Sequence, residues 1–297
     1  MILRVKAALL GIFLATSVSY CLAAETENPV PQAKKSIDAV SKPEGSKSEK
    51  PLPSATEVLE RYGKAIGGKE AYARHTSQHA IGTVEMPAQG LSGKMEVFAA
   101  RPNKLLMKMQ LAGVGEFNSG YDGKVGWMSS ALTGPMIVQG KALEQLSAQA
   151  DFDQALHKPG DYTVSEVLGV ENFNGEECYK VKLVHRSGYA STEYFSTETG
   201  LQRGFVTTQD SPLGPMTSTT TVVAYKHFGD LYLPSRISQK ASGMETVMSI
   251  SETEYDKVPD SVFDLPAEIK ALQKGKSTES STDVKKPKET RESEGKK

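Results

Sequence analysis

The sequence predicts a mainly β chain with helical cover, an α+β protein built on one large curved antiparallel sheet. Three observations carry that prediction. From His79 onward, apolar and polar residues alternate with period two over many short segments. Polar turns such as Asn174-Gly175 and Thr199-Gly200 join neighbouring segments as hairpins. No alternation of strand and helix runs through the chain, so a parallel sheet is not expected. An antiparallel sheet of this size must curl to hide its apolar face.

The ordered part begins with a helix. Ser54-Ala55-Thr56-Glu57 is a capping box, and Val58, Leu59, Tyr62 and Ile66 follow at helical spacing until Gly67-Gly68. Strands are then expected at 78–86, 92–100, 104–111, 115–121 and 125–129. In the third, Leu105, Met107, Met109 and Leu111 share one face, while Lys104, Lys108 and Gln110 take the other, which gives one buried and one wet face. The meander breaks at 140–156, where Leu143, Leu146 and Ala150 mark an amphipathic helix or pair of helices. Strands resume at 162–170, 177–185, 191–196, 201–209, 216–227, 231–240 and 245–256. The segments 55–66 and 140–156 are the natural covers for the apolar face.

The ends of the chain differ from its middle. Residues 1–24 read as an export signal: Arg4 and Lys6, an apolar run from Ala7 to Ala15, then small residues, with cleavage near Ala23 or Ala24. Cys21 offers lipid attachment as a lesser alternative, against which stands the bulky Tyr20 before it. Residues 25–52 form a disordered linker and 271–297 a disordered charged tail, because both are too poor in large apolar side chains to offset the ordering entropy. The domain between them, 53–270, is long enough to build a core without disulfides. Cleavage leaves Cys178 as the only cysteine, placed on a strand. Residues 53–273 hold 20 bases against 26 acids, the opposite of a nucleic-acid surface.

The residues show no recognisable catalytic motif. His75 and His79 have the four-residue spacing of a helical metal pair, but Thr76 stands where a general-base Glu belongs, and the pair crosses a helix-to-strand boundary. Gly113 and Gly115 lack the setting of a dinucleotide loop, and there is no nucleophile elbow or phosphate loop. No metal, no cofactor and no enzymatic activity are expected.

Several strings together resemble the periplasmic outer-membrane lipoprotein carriers of the LolA/LolB type. They are Arg101-Pro102-Asn103-Lys104-Leu105 at a strand boundary, Tyr121-Asp122-Gly123-Lys124-Val125-Gly126-Trp127 some twenty residues later, the opening Leu59 to Gly68, and the closing Val258-Pro259-Asp260-Ser261-Val262-Phe263-Asp264-Leu265-Pro266. The resemblance covers most of 55–266.

That resemblance implies an unclosed β-barrel with helices over its concave face, and a monomeric, non-enzymatic periplasmic carrier of lipoprotein acyl chains or lipids. Envelope membrane proteins would act as donor and acceptor. It assigns Arg101 to holding a helical lid against the barrel. Leu105, Met107, Met109 and Phe117 are the expected cavity lining; Trp127 joins them if its parity matches Val125, and is otherwise a core aromatic under a helix. An envelope sensor or adaptor of the same fold that binds a protein partner is the alternative, and an uncharacterised hydrolase a third reading. The chain departs from the compact carriers by a longer region after Tyr162 and by both charged flanks.

Overall fold

In the computed structural model, residues 51–211 and 214–279 are described. The export signal, nearly all of the linker and most of the tail lie outside them. The fold is an open antiparallel sheet of 13 strands that does not close into a barrel.

Two helices come first, α1 (Ala55–Ala65) and α2 (Gly68–Ala73). The capping box is present: Glu57 N–H donates to Ser54 Oγ at 3.2 Å, and Ser54 N–H donates to Glu57 Oε2 at 2.7 Å. Gly67-Gly68 redirects the chain rather than ending all helix. Gly67, at φ +125°, turns it into α2, which buries Ala71 and Tyr72.

The first strands are β1 (Ser77–Met86), β2 (Leu91–Ala100), β3 (Lys104–Leu111), β4 (Gly115–Tyr121), β5 (Gly126–Ser130) and β6 (Gly134–Val138). Helix α3 (Lys141–Gln149) follows, with 3-10 turns at Gln154–Leu156 and Pro159–Asp161. The second run is β7 (Tyr162–Phe173), β8 (Glu176–His185), β9 (Ala190–Ser196), β10 (Gln202–Ser211), β11 (Gly214–Phe228), β12 (Leu231–Ala241) and β13 (Met244–Tyr255). A 3-10 turn at Asp260–Phe263 leads into α4 (Ala267–Glu279). Strand β6 was hidden from sequence reading by Gly134-Pro135; it is an edge strand, where proline costs no ladder bond. Helix α4 passes through residue 271, so the start of the expected charged tail is helical.

Strand order is β6-β5-β4-β3-β2-β1-β13-β12-β11-β10-β9-β8-β7. The pairing of β1 with β13 joins two meanders, and the consecutive strands β6 and β7 become the two free edges. Residues 139–161 must therefore cross from one edge to the other. This strap carries α3, and together with α1 it covers the inner face.

Register fixes which side chains look inward. Leu105 pairs with Tyr121, Tyr121 with Gly126, and Gly126 with Val138; this row packs with Leu146 of α3. The adjacent row, Leu106, Gly120, Trp127 and Ile137, faces outward. A Cβ on Gly126 would lie 2.8 Å from Leu143, and one on Gly120 would lie 2.6 Å from the Trp127 indole, so both glycines make room for a large neighbour. The outer row is not wet. Leu106 is only 5% exposed, because the chain's last described segment returns across it and packs Phe263 and Ile269 against Ala100, Leu106 and Trp127.

The inner face has two centres. Helix α1 places Val58, Leu59, Tyr62 and Ile66 on Val181, Leu183, Phe195 and Leu231. At the other end, Val84, Met86, Met95, Met109, Leu111 and Phe117 fill the curl of β1–β4. Cys178, on β8, is fully buried. Burial and the nearby Glu176 push its thiol up to about 11, away from reactivity.

Candidate functional site

Between the helices, the strap and the inner face lies a cavity of about 1000 Å³. Its lining runs from Arg101 and Tyr121 on one side to Leu183, Glu193, Phe205 and Gln239 on the other. Residues from β4 and β9, far apart in strand order, meet across this space, which only a curled sheet allows. The volume is at the upper end of small-molecule sites.

Arg101 sits where β2 ends and fastens three pieces of chain. Its Nε donates to His75 O at 2.7 Å and its Nη2 to Tyr72 O at 2.9 Å, which ties it to the end of α2. Nη1 and Nη2 donate to the two Asp153 carboxylate oxygens at 2.9 and 2.6 Å, a fork that grips the strap. The guanidinium also lies 4.8 Å from the centre of the Phe152 ring. Lys158 adds contacts to Asp151 at 3.2 Å and Asp153 at 3.4 Å. The Arg101 hydrogen bonds hold the Asp153 carboxyl below its usual range, against the opposing effect of burial.

The far wall carries a buried polar chain. His157 Nδ1 is 2.6 Å from the Tyr162 hydroxyl, and its Nε2 is 3.7 Å from Glu193 Oε2. Glu193 accepts from Ser191 Oγ at 2.8 Å and from Gln202 Nε2 at 2.6 Å. Burial, with Glu193 and Asp161 nearby, drives the Tyr162 hydroxyl pKa far upward, so it stays protonated. Thr207 and Ser218 hydroxyls meet at 3.1 Å beyond this group.

Of the residues expected at the site, Arg101 lines the cavity. Leu105, Met107, Met109 and Phe117 lie on the inner face as their parity requires, yet they pack into clusters beside the cavity: Leu105 under α3, the other three in the β1–β4 core. Trp127 is corrected. It points to the outer face beneath Phe263 and Ile269, because the hairpin register turns Gly126 inward in its place. His75 and His79 part company. His75 bridges Asp230 and Asp256, while His79 stacks on Phe98 with ring centres 4.1 Å apart. Among the described residues, no group of three or more His, Cys, Asp or Glu is placed to hold a metal. Sequence reading missed Asp153, His157 and Glu193. The legible signal was Glu193 itself, a charge at a core-facing position of Ser191-Thr192-Glu193-Tyr194-Phe195.

Two crystal structures share this architecture. A LolA-superfamily protein from Nitrosomonas europaea superposes with a TM-score of 0.50 at 16% identity, over 72% of this chain and 99% of its own. A DUF1329-family protein from Desulfovibrio piger superposes with a TM-score of 0.51 at 12% identity, over 72% of this chain and 98% of its own. No protein-family model matches the sequence, and no curated protein matches it. What is shared at such identities is the fold: the chain has the LolA-type open half-barrel that its motifs resemble.

Proposed function

We propose that this protein is a non-enzymatic carrier of the cell envelope, which takes acyl chains of lipoproteins or lipids into the cavity and moves them between membrane partners. The observation that carries the reading is the covered cavity of about 1000 Å³ under a strap fastened by Arg101 and Asp153. Arg101 then acts as the closure residue. Hiding a chain from water gains about 0.8 kcal/mol per methylene, enough to hold a single acyl group without covalent chemistry. The expected compartment is the periplasm, reached through the signal at 1–24, and the expected state is a monomer.

An adaptor that binds protein is the second reading, and it is favoured by β7. That strand is a free edge with Val164, Leu168 and Val170 exposed. Native mass spectrometry of the protein purified from a bacterial envelope, followed by lipid extraction, separates the two. A stoichiometric acylated ligand is expected. An empty protein that also refuses added lipid, and that retains a protein partner, would overturn the carrier reading in favour of the adaptor.

A further inference from the structure

The inner face is divided in its chemistry. On β1–β4 it is hydrocarbon and thioether, with Val84, Met95, Met109 and Phe117 packed together. On β9–β13, beside the apolar Phe195, Val222 and Leu231, it carries a patch of hydroxyl, amide and carboxylate groups: Ser191, Glu193, Thr207, Ser218, Thr220 and Thr246 are all buried polar residues. Direct pairing links Thr207 to Ser191 and to Ser218, and Gln239 to Thr220 and to Thr246, so these groups form one continuous inward patch. Within this wall Ser191 and Gln202 donate to Glu193 and the Thr207 hydroxyl meets Ser218, so the protein's own donors are used while the carboxylate keeps acceptor capacity for the donors of a ligand.

Charge selects further. The cavity lining holds two cationic side chains, Arg101 and Lys158, against five carboxylates, Glu144, Asp151, Asp153, Asp161 and Glu193. Both cations are occupied by Asp153 and Asp151. Glu193 is 8% exposed, and among the described residues no Lys or Arg pairs with it. Its neighbour His157 stands at 3.7 Å, beyond hydrogen-bond length. An anionic phosphate or carboxylate head would be brought beside the Glu193 carboxylate while both lining cations are already engaged by Asp151 and Asp153.

We infer that the Glu193 end of the cavity is a head-group site, which takes the polar end of an amphiphile bearing hydroxyl or amine donors and no negative charge. The hydrocarbon lies toward Tyr121 and Leu143 at the other end of the lining. This rests on the carrier reading above and narrows its ligand class. Donors on the head would be received by the Glu193 carboxylate and by the Thr207 hydroxyl on the neighbouring strand, with the Gln239 amide oxygen further along the same lining.

The test uses the delipidated full chain and three amphiphiles of equal chain length, titrated calorimetrically below their micelle concentrations: monododecanoylglycerol, dodecylammonium and dodecyl phosphate. The glycerol ester and the ammonium should bind at least about tenfold more tightly than the phosphate, the worth of one charge-assisted hydrogen bond. Glu193→Gln should weaken the ammonium about tenfold and strengthen the phosphate. Glu252→Gln, exposed on β13 and outside the lining, should leave the order intact. Equal affinities for all three, or a preference for phosphate, would overturn the head-group site while leaving the carrier reading standing. The same effect from both variants would also overturn it, since only the general field would then be at work. Binding of none of the three would remove the carrier reading itself. Should Glu193→Gln fail to fold, the order of affinities in the unaltered protein decides.

Discussion

His75 is held by two carboxylates at once. Its Nδ1 is 2.9 Å from Asp256 Oδ2 and its Nε2 is 2.8 Å from Asp230 Oδ1, with the ring stacked on Tyr255 and Arg74 also bound to Asp230. Burial opposes charge on the ring, but the two hydrogen bonds outweigh it and raise the His75 pKa above 6.5. The same bonds lower Asp230 and Asp256 to about 2. A group raised by folding stabilises the fold fully below its unfolded pKa and ceases to do so as pH rises through its folded pKa. The melting temperature should therefore fall as pH climbs from about 6.5 into the alkaline range. The drop is no more than a few degrees, since the carboxylates face solvent that screens them. His75→Gln, which cannot take the charge, should flatten that slope in a differential scanning series; equal slopes would assign the loss to other groups. The residue scale was also the least legible in the sequence. Period two placed Leu105, Met107, Met109 and Phe117 on the inner face. Whether an inward residue lines space or fills a core depends on what lies above it, and that is set by α3 and the strap from elsewhere in the chain.

Among the elements, α4 shows how a distant segment changes the meaning of a strand. Leu106 and Trp127 point away from the inner face, and they are dry because Phe263 and the fully buried Ile269 lie on them. Lys104 Nζ, 2.5 Å from Asp260 Oδ1, pins the start of that return to β3. Ile269→Ala should cost about 2–5 kcal/mol, as other fully buried aliphatic truncations do. It should also shift the emission of Trp127, the single tryptophan, to the red. A loss of stability with unchanged emission would mean that α4 packs on β3 without sealing the indole. Strand positions along both meanders were legible because hairpin turns and alternation are local. Helix α4 was not, because Lys270, Gln273 and Lys274 around Leu272 dilute its apolar signal, and one fully buried residue is enough to dock it. Helix α2 was missed because a glycine pair can redirect a chain as well as terminate a helix.

For the whole molecule, the decisive feature is that consecutive strands form opposite edges of the sheet. Only residues 139–161 bridge them, so the strap is both cover and connection, and opening the cavity requires it to lift without breaking the ladder. The Arg101-Pro102 turn was legible as a motif, but its partner Asp153 was not, since no local pattern announces a contact across fifty residues. Arg101 supplies a forked contact to the strap and two bonds to the end of α2, and its side chain remains partly exposed. Removing the fork should thus loosen the strap rather than unfold the sheet. In Arg101→Met, backbone amides of 151–161 should exchange with deuterium about tenfold faster, one such contact being worth somewhat over 1 kcal/mol, while β1–β5 keep their protection. A preloaded amphiphile should leave faster by a similar factor, because affinity changes in a formed site are expressed mainly in the off-rate. Faster exchange without faster release would place the exit at the open end of the half-barrel instead. Unchanged exchange would reduce the Arg101–Asp153 contact to a surface ion pair and leave α3, through Leu146, as the fastening that matters.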